Sequence, residues 1–157
     1  IAKTSAEVIE VHLDPPDPPA SPSVLEAIET SDVLVLGPGS WFTSVMPHML
    51  VPQIVEAIMD SDALKILTLN VAGADETNGF SPARHLEVLA EHEPRIRFDV
   101  VLADRSFARS DPHLGTFARN LGARIVEADL AMHDGSARHD PLRLASAYAE
   151  VMGVRIR

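Results

Sequence analysis

The sequence predicts an α/β fold, a Rossmann-like three-layer αβα arrangement around a mostly parallel sheet. Three observations predict it. Apolar runs without polar alternation (Val33-Leu34-Val35-Leu36, Leu64–Leu69 and Phe98–Ala103) read as strands buried on both faces. Apolar residues at helical spacing fill the intervals between these runs. Polar residues follow each strand, where open parallel sheets bind their ligands.

The elements follow in chain order. Glu7–Leu13 reads as a strand with imperfect alternation (Val8, Ile9, Val11, Leu13). Residues 14–22, beginning Asp14-Pro15-Pro16-Asp17-Pro18-Pro19, form a stiff connector, because proline blocks regular hydrogen bonding. A ligand for a proline-recognition domain is the alternative reading of that stretch. Ser21 or Ser23 caps a helix to Glu29, with Val24, Leu25 and Ile28 inward. Val51, Ile54, Val55, Ile58 and Met59 recur at helical spacing, with Pro52 in a first turn. Ser81-Pro82 opens a helix to about His92. Pro112–Leu121 is a helix ended by Gly122. Arg124–Glu127 is a fourth strand, and Pro141–Met152 the last helix, capped by Asp140. The whole of residues 1–157 reads as part of one domain, without internal repeats.

Composition narrows the function. The chain has 157 residues, 46% of them hydrophobic, which suits a packed core. It has no cysteine, which removes disulfides, thiolate metal sites and thiol catalysis. The formal net charge of -10 opposes binding to nucleic acid or anionic lipid. No apolar run reaches membrane-spanning length, so a cytoplasmic protein without membrane insertion is expected. Ile1 stands where a Met would start a chain, so the sequence reads as a fragment or a processed product.

Candidate ligand residues gather at the strand ends. Gly37-Pro38-Gly39-Ser40-Trp41-Phe42-Thr43-Ser44 follows the first buried strand. Its glycines permit a tight turn and close approach of a ligand, and its hydroxyls fall at a helix start. It lacks the P-loop lysine, and Phe42 stands where the dinucleotide fingerprint needs its third glycine. An ordinary strand-to-helix turn is the competing reading. Asn70 closes the second strand and can hydrogen-bond a sugar or base. Glu76 can orient a hydroxyl, Asp104 ends the third strand and Asp129 follows the fourth. Arg138-His139 precedes the last helix, and Arg138 has the fork geometry for a phosphate. His85 and His92 lie seven positions apart on one helix. That spacing favours packing or a surface role over metal ligation, and no metal site is expected.

The run Ser31-Asp32-Val33-Leu34-Val35-Leu36-Gly37-Pro38-Gly39-Ser40-Trp41-Phe42-Thr43-Ser44-Val45-Met46-Pro47 resembles the central motif of the gluconeogenesis factor family, related to 2-phospho-L-lactate transferase (CofD-like). The similarity continues through Leu50-Val51-Pro52, Asn70, Glu76-Thr77, Phe80-Ser81 and His85 to Arg138-His139-Asp140. The resemblance implies the carboxyl-terminal part of a Rossmann-like domain that binds sugar nucleotides such as UDP-N-acetylglucosamine. It also implies influence on cell-wall synthesis, cell shape and growth on gluconeogenic carbon sources. On that basis Gly37, Pro38, Gly39, Ser40, Thr43, Ser44, Asn70, Glu76, Thr77, Asp104, Arg138 and His139 form the ligand site, with Arg138 on a phosphate. The alternative it implies is a phospho-group transferase using a nucleotide diphosphate donor, with Mg²⁺ bridging the phosphates and Asp104 or Glu76 holding the metal. A structural or interaction half-domain is a third option, and a homo-oligomer is left open. Two departures stand out. Val71 to Asp75 reads Val-Ala-Gly-Ala-Asp where the family has Met-Thr-Gln-Pro-Gly, and the family's glycine-rich amino-terminal loop has no counterpart here.

Overall fold

The computed structural model describes residues 8, 11–73 and 75–153. Four strands form one sheet: β1 (Val33–Leu36), β2 (Leu64–Thr68), β3 (Val100–Asp104) and β4 (Arg124–Ala128). Their order in the sheet is the order of the sequence, and every neighbouring pair is parallel. The register sets Leu36 beside Leu67, Leu67 beside Val101 and Val101 beside Ile125. All four carboxyl ends therefore share one edge.

Alternation along the strands divides the core into two layers. On one face, Leu67, Val101 and Ala103 pack with Val55 of α3 (Pro52–Asp60), Leu86 and Leu89 of α4 (Pro82–His92) and Ala118 of α6 (Leu114–Asn120). Trp41 and Met46 complete that layer. On the other face, Ile66, Val100 and Leu102 pack against Ala147 of α7 (Pro141–Val151). Each fully buried large apolar side chain contributes about 1.5–3 kcal/mol of transfer free energy. Across this second face Thr68 Oγ1 and Tyr148 OH hydrogen-bond at 2.8 Å.

Most elements match their sequence signals. Ser81 accepts from Arg84 N, and Asp140 accepts from Leu142 N and Arg143 N, both as N-caps. α1 (Pro22–Thr30) starts after Ser21, whose hydroxyl meets Ser23 Oγ instead of capping a backbone N–H. Other expectations need correction. β1 is not buried on both faces: Val35 is 46% exposed, because β1 is the edge strand among the described residues and the α7 layer reaches Val33 but not Val35. α5 (Arg105–Arg109) shows no helical period in the sequence, and α6 begins at Leu114, not Pro112. The strand expected over Glu7–Leu13 falls partly outside the described residues, and residues 11–13 have no strand pairing. No helix among the described residues is long and apolar enough to cross a membrane.

Candidate functional site

The loop after β1 is built from contacts that reach across to β2. Gly37 has φ of 78°, and a Cβ there would lie 2.5 Å from Thr68 O. Both facts require glycine. The Gly37-Pro38 peptide is cis. Asn70 then brackets Gly39: its Nδ2 donates to Gly39 O at 2.9 Å, and its Oδ1 accepts from Gly39 N at 3.2 Å. After Ser40 the chain makes a π-helical turn over Trp41–Val45, with Val45 N donating to Ser40 O, before α2 (Met46–Met49). Such turns mark functional positions in many helices.

Glu76 closes the turn from the far side. Its Oε1 accepts from Ser40 Oγ at 2.7 Å and from Trp41 N at 3.0 Å. Ser40 Oγ in turn accepts from Thr43 N at 3.3 Å and bonds the Thr43 hydroxyl. The carboxylate thus sits at the positive end of a helix, where it is favoured. It takes the N–H of Trp41, while those of Gly39 and Thr43 donate to Asn70 and Ser40, so all three already have acceptors. Thr43 and Ser44 are exposed, and Thr77 is buried beside Glu76.

Asp104 is a structural hub at the end of β3. Oδ1 accepts from Ser106 N, Ser106 Oγ and Phe107 N, and Oδ2 from Leu130 N and Ala131 N. Burial pushes its carboxyl up, but the donors from Ser106, Leu130 and Phe107 outweigh that and hold it below its ordinary value. It ties the start of α5 to the turn after β4. His139 lies half-buried beside it, bridged to Ala131, with Nε2 donating to Leu69 O at 3.2 Å. Burial lowers its pKa below 6.5, against the opposing pull of that bond and of the Asp104 charge.

Arg138 goes elsewhere. It pairs with Asp134 at 3.1 Å and donates to Ser136 Oγ at 3.2 Å, inside its own loop, with its side chain 70% exposed. The site thus joins Gly39 to Asn70 and Ser40 to Glu76 directly, sets His139 against the β2 end, and leaves Arg138 outside. Among the described residues there is no group of three His, Cys, Asp or Glu side chains disposed to hold a metal.

Beneath the loop, His85 is fully buried. Its Nδ1 donates to Ser81 O at 2.9 Å, and its ring meets Trp41, Phe80 and Phe107 edge-on, with centroids 4.9, 5.4 and 5.9 Å away. Packing was one of the two roles its helical position suggested. A further network has no local signal in the sequence: Arg143 on α7 bonds both Asp129 and His133, which lie 14 and 10 positions before it. Only the turn after β4 brings these residues together.

The family model described as 2-phospho-L-lactate transferase CofD matches residues 1–140. The chain belongs to the CofD-like family, which includes the gluconeogenesis factors. A Mycobacterium leprae protein named "Putative gluconeogenesis factor" is 42% identical over 160 residues, covering 99% of this chain and 44% of that protein. A "Gluconeogenesis factor" of Halalkalibacterium halodurans is 42% identical over 93 residues, 59% of this chain and 29% of its own length. A crystal structure of a Bacillus halodurans protein, described as a member of the UPF0052 family, superposes with a TM-score of 0.76 at 29% identity, covering 94% of this chain and 52% of that one. The chain therefore spans about half the length of the relatives it matches, or less.

Proposed function

We propose that this member of the CofD-like family contributes the β1–β4 half of a sugar-nucleotide site. The ligand is of the UDP-N-acetylglucosamine type, and its occupancy regulates cell-wall synthesis, cell shape and growth on gluconeogenic carbon sources. The observation that carries the reading is the loop at Gly37–Ser44. Asn70 and Glu76 fix its backbone from a second strand end, leaving the Thr43 and Ser44 hydroxyls exposed at the carboxyl edge. Rigid backbone at that edge is where parallel sheets hold ligands.

The transferase alternative has support in the description of the family model. Asp104 argues against its metal: five N–H and O–H donors use the lone pairs that Mg²⁺ would need. Glu76 has one oxygen committed twice to the loop.

The test is calorimetric titration of UDP-N-acetylglucosamine, UDP and N-acetylglucosamine into this chain and into the full-length Mycobacterium leprae relative. Saturable binding of the sugar nucleotide supports the reading. Absence of heat and of thermal shift at millimolar ligand in both proteins rejects it. Phospho-group transfer seen by mass spectrometry would promote the alternative.

A further inference from the structure

A sugar nucleotide brings phosphates to the carboxyl edge, and the groups first suited to receive them are engaged. The N–H groups of Gly39, Trp41 and Thr43 are bonded to Asn70, Glu76 and Ser40. A second place on the same edge is open. Between α5 and the segment after β4 lies a cleft of about 420 Å³, lined by Asp104, Arg105, Ser106, Arg109, Asp129 and His133.

The charges in that cleft are unequally compensated. Asp104 is saturated by its five donors, and Asp129 is held by Arg143. Arg109 pairs with Glu127 at 3.0 Å, with the two side chains 68% and 37% exposed. A pair so exposed exchanges readily for a stronger anion. Arg105 has no side-chain hydrogen bond or ion pair among the described residues. Arg105 and Arg109 are four residues apart on α5, thus on one side of it. His133 faces them from the other wall, its Nε2 accepting from Arg143 at 2.6 Å. The floor is rigid, because Asp104 binds α5 and the Leu130–Ala131 turn together.

We infer that this cleft is a phosphate subsite, in which a phosphate or pyrophosphate group seats on Arg105 and Arg109 opposite His133. Two forked guanidiniums suit such an anion in a way that single point charges do not. β1 and β4 stand three strand spacings apart, about 14 Å. A ligand that reaches from the Gly39 loop into the cleft is therefore extended across the strand ends, as a nucleoside diphosphate sugar is. The extended ligand rests on the sugar-nucleotide reading above; the affinity of the cleft for phosphate does not.

Pyrophosphate, UDP, uridine and UDP-N-acetylglucosamine titrated into this chain, with the arginine Nε–Hε resonances followed by NMR, separate the two. The expected result is a saturable shift of Arg105 and Arg109 with pyrophosphate and UDP, and none with uridine. Arg105→Ala should weaken UDP binding by about tenfold or more with the melting temperature unchanged, and Arg105→Lys should recover only part. The inference is overturned if pyrophosphate and UDP leave the Arg105 resonance in place, or if Arg105→Ala binds UDP like the parent chain. Binding of pyrophosphate at Arg105 without any binding of UDP-N-acetylglucosamine keeps the subsite and removes the sugar-nucleotide reading. Undiminished binding of UDP-N-acetylglucosamine by Arg105→Ala does the reverse.

Discussion

Asn70 closes both hydrogen bonds of its carboxamide on one residue, Gly39, giving a donor to the carbonyl and an acceptor to the N–H. A side chain from the end of β2 thereby stands in for a neighbouring strand at the loop after β1. Asn70→Ala should cost about 1–3 kcal/mol, the usual penalty for leaving partly buried polar groups unpaired. Asn70→Asp should cost at least as much, because a carboxylate cannot donate and would face the Gly39 carbonyl. Urea denaturation of the two variants checks the order. An Asp variant clearly more stable than the Ala variant would show that the donated bond is unimportant.

Gly37 and Gly79 share a left-handed backbone, with φ of 78° and 84°, but differ in surroundings. A Cβ at Gly37 meets Thr68 O at 2.5 Å, on the backbone of an interior strand, while nothing lies within 4 Å at Gly79. Gly79→Ala should therefore pay for conformation alone, roughly 1 kcal/mol. Gly37→Ala adds a clash that only strand movement relieves, and should exceed about 3 kcal/mol. Equal melting temperatures for the two variants would contradict this account.

Glu76 holds the first turn of the β1 loop through Ser40 and Trp41. Glu76→Gln keeps an acceptor at both and should lose about 1 kcal/mol. Glu76→Ala strands the buried Trp41 N–H and loses two bonds to a charged group, about 2–3 kcal/mol or more. The same variants report on ligand binding. If removing the carboxylate strengthens phosphate binding at the loop, Glu76 is the internal competitor for that helix end.

Much of the sheet was legible because its signals are local. Ile66-Leu67 and Val100-Val101-Leu102 are apolar without alternation, and they are buried on both faces. Asp140-Pro141 and Ser81-Pro82 announce helix starts that the structure keeps. Val35 misled because a strand sequence does not record its place in the sheet, and an edge strand reads like an interior one. α5 is illegible because five residues hold no helical period, and its N-cap Asp104 is its one local signal. The roles of Glu76 and Arg143 were illegible for another reason. Their partners lie 35 and 36 positions away for Glu76, and 10 and 14 away for Arg143, joined only by the turns that the whole fold sets. Arg138 shows the converse: its fork suits a phosphate, and in the structure it pairs with Asp134, four residues earlier in its own loop.

The buried imidazole of His85 gives the fold a pH dependence whose sign follows from its surroundings. Burial among Trp41, Phe80 and Phe107 disfavours the charged ring and lowers its pKa below 6.5, although the Ser81 carbonyl and the Glu76 charge pull the other way. The unfolded chain then binds a proton at higher pH than the folded one. Stability is full above the unfolded value of 6.5 and falls as the pH drops from there towards the lower folded value. His139 is shifted in the same direction and adds to the fall. Asp104 acts separately, since its lowered pKa withdraws stability only in the region of 3.8 and below. Urea unfolding between about pH 7.5 and pH 5.5 isolates the histidine contribution. His85→Phe retains a ring against Trp41 and removes the titration, so its stability should decline less over that interval than that of the parent chain. An identical decline in the two proteins would place the source of the pH dependence outside His85, with His139→Gln as the next variant to measure.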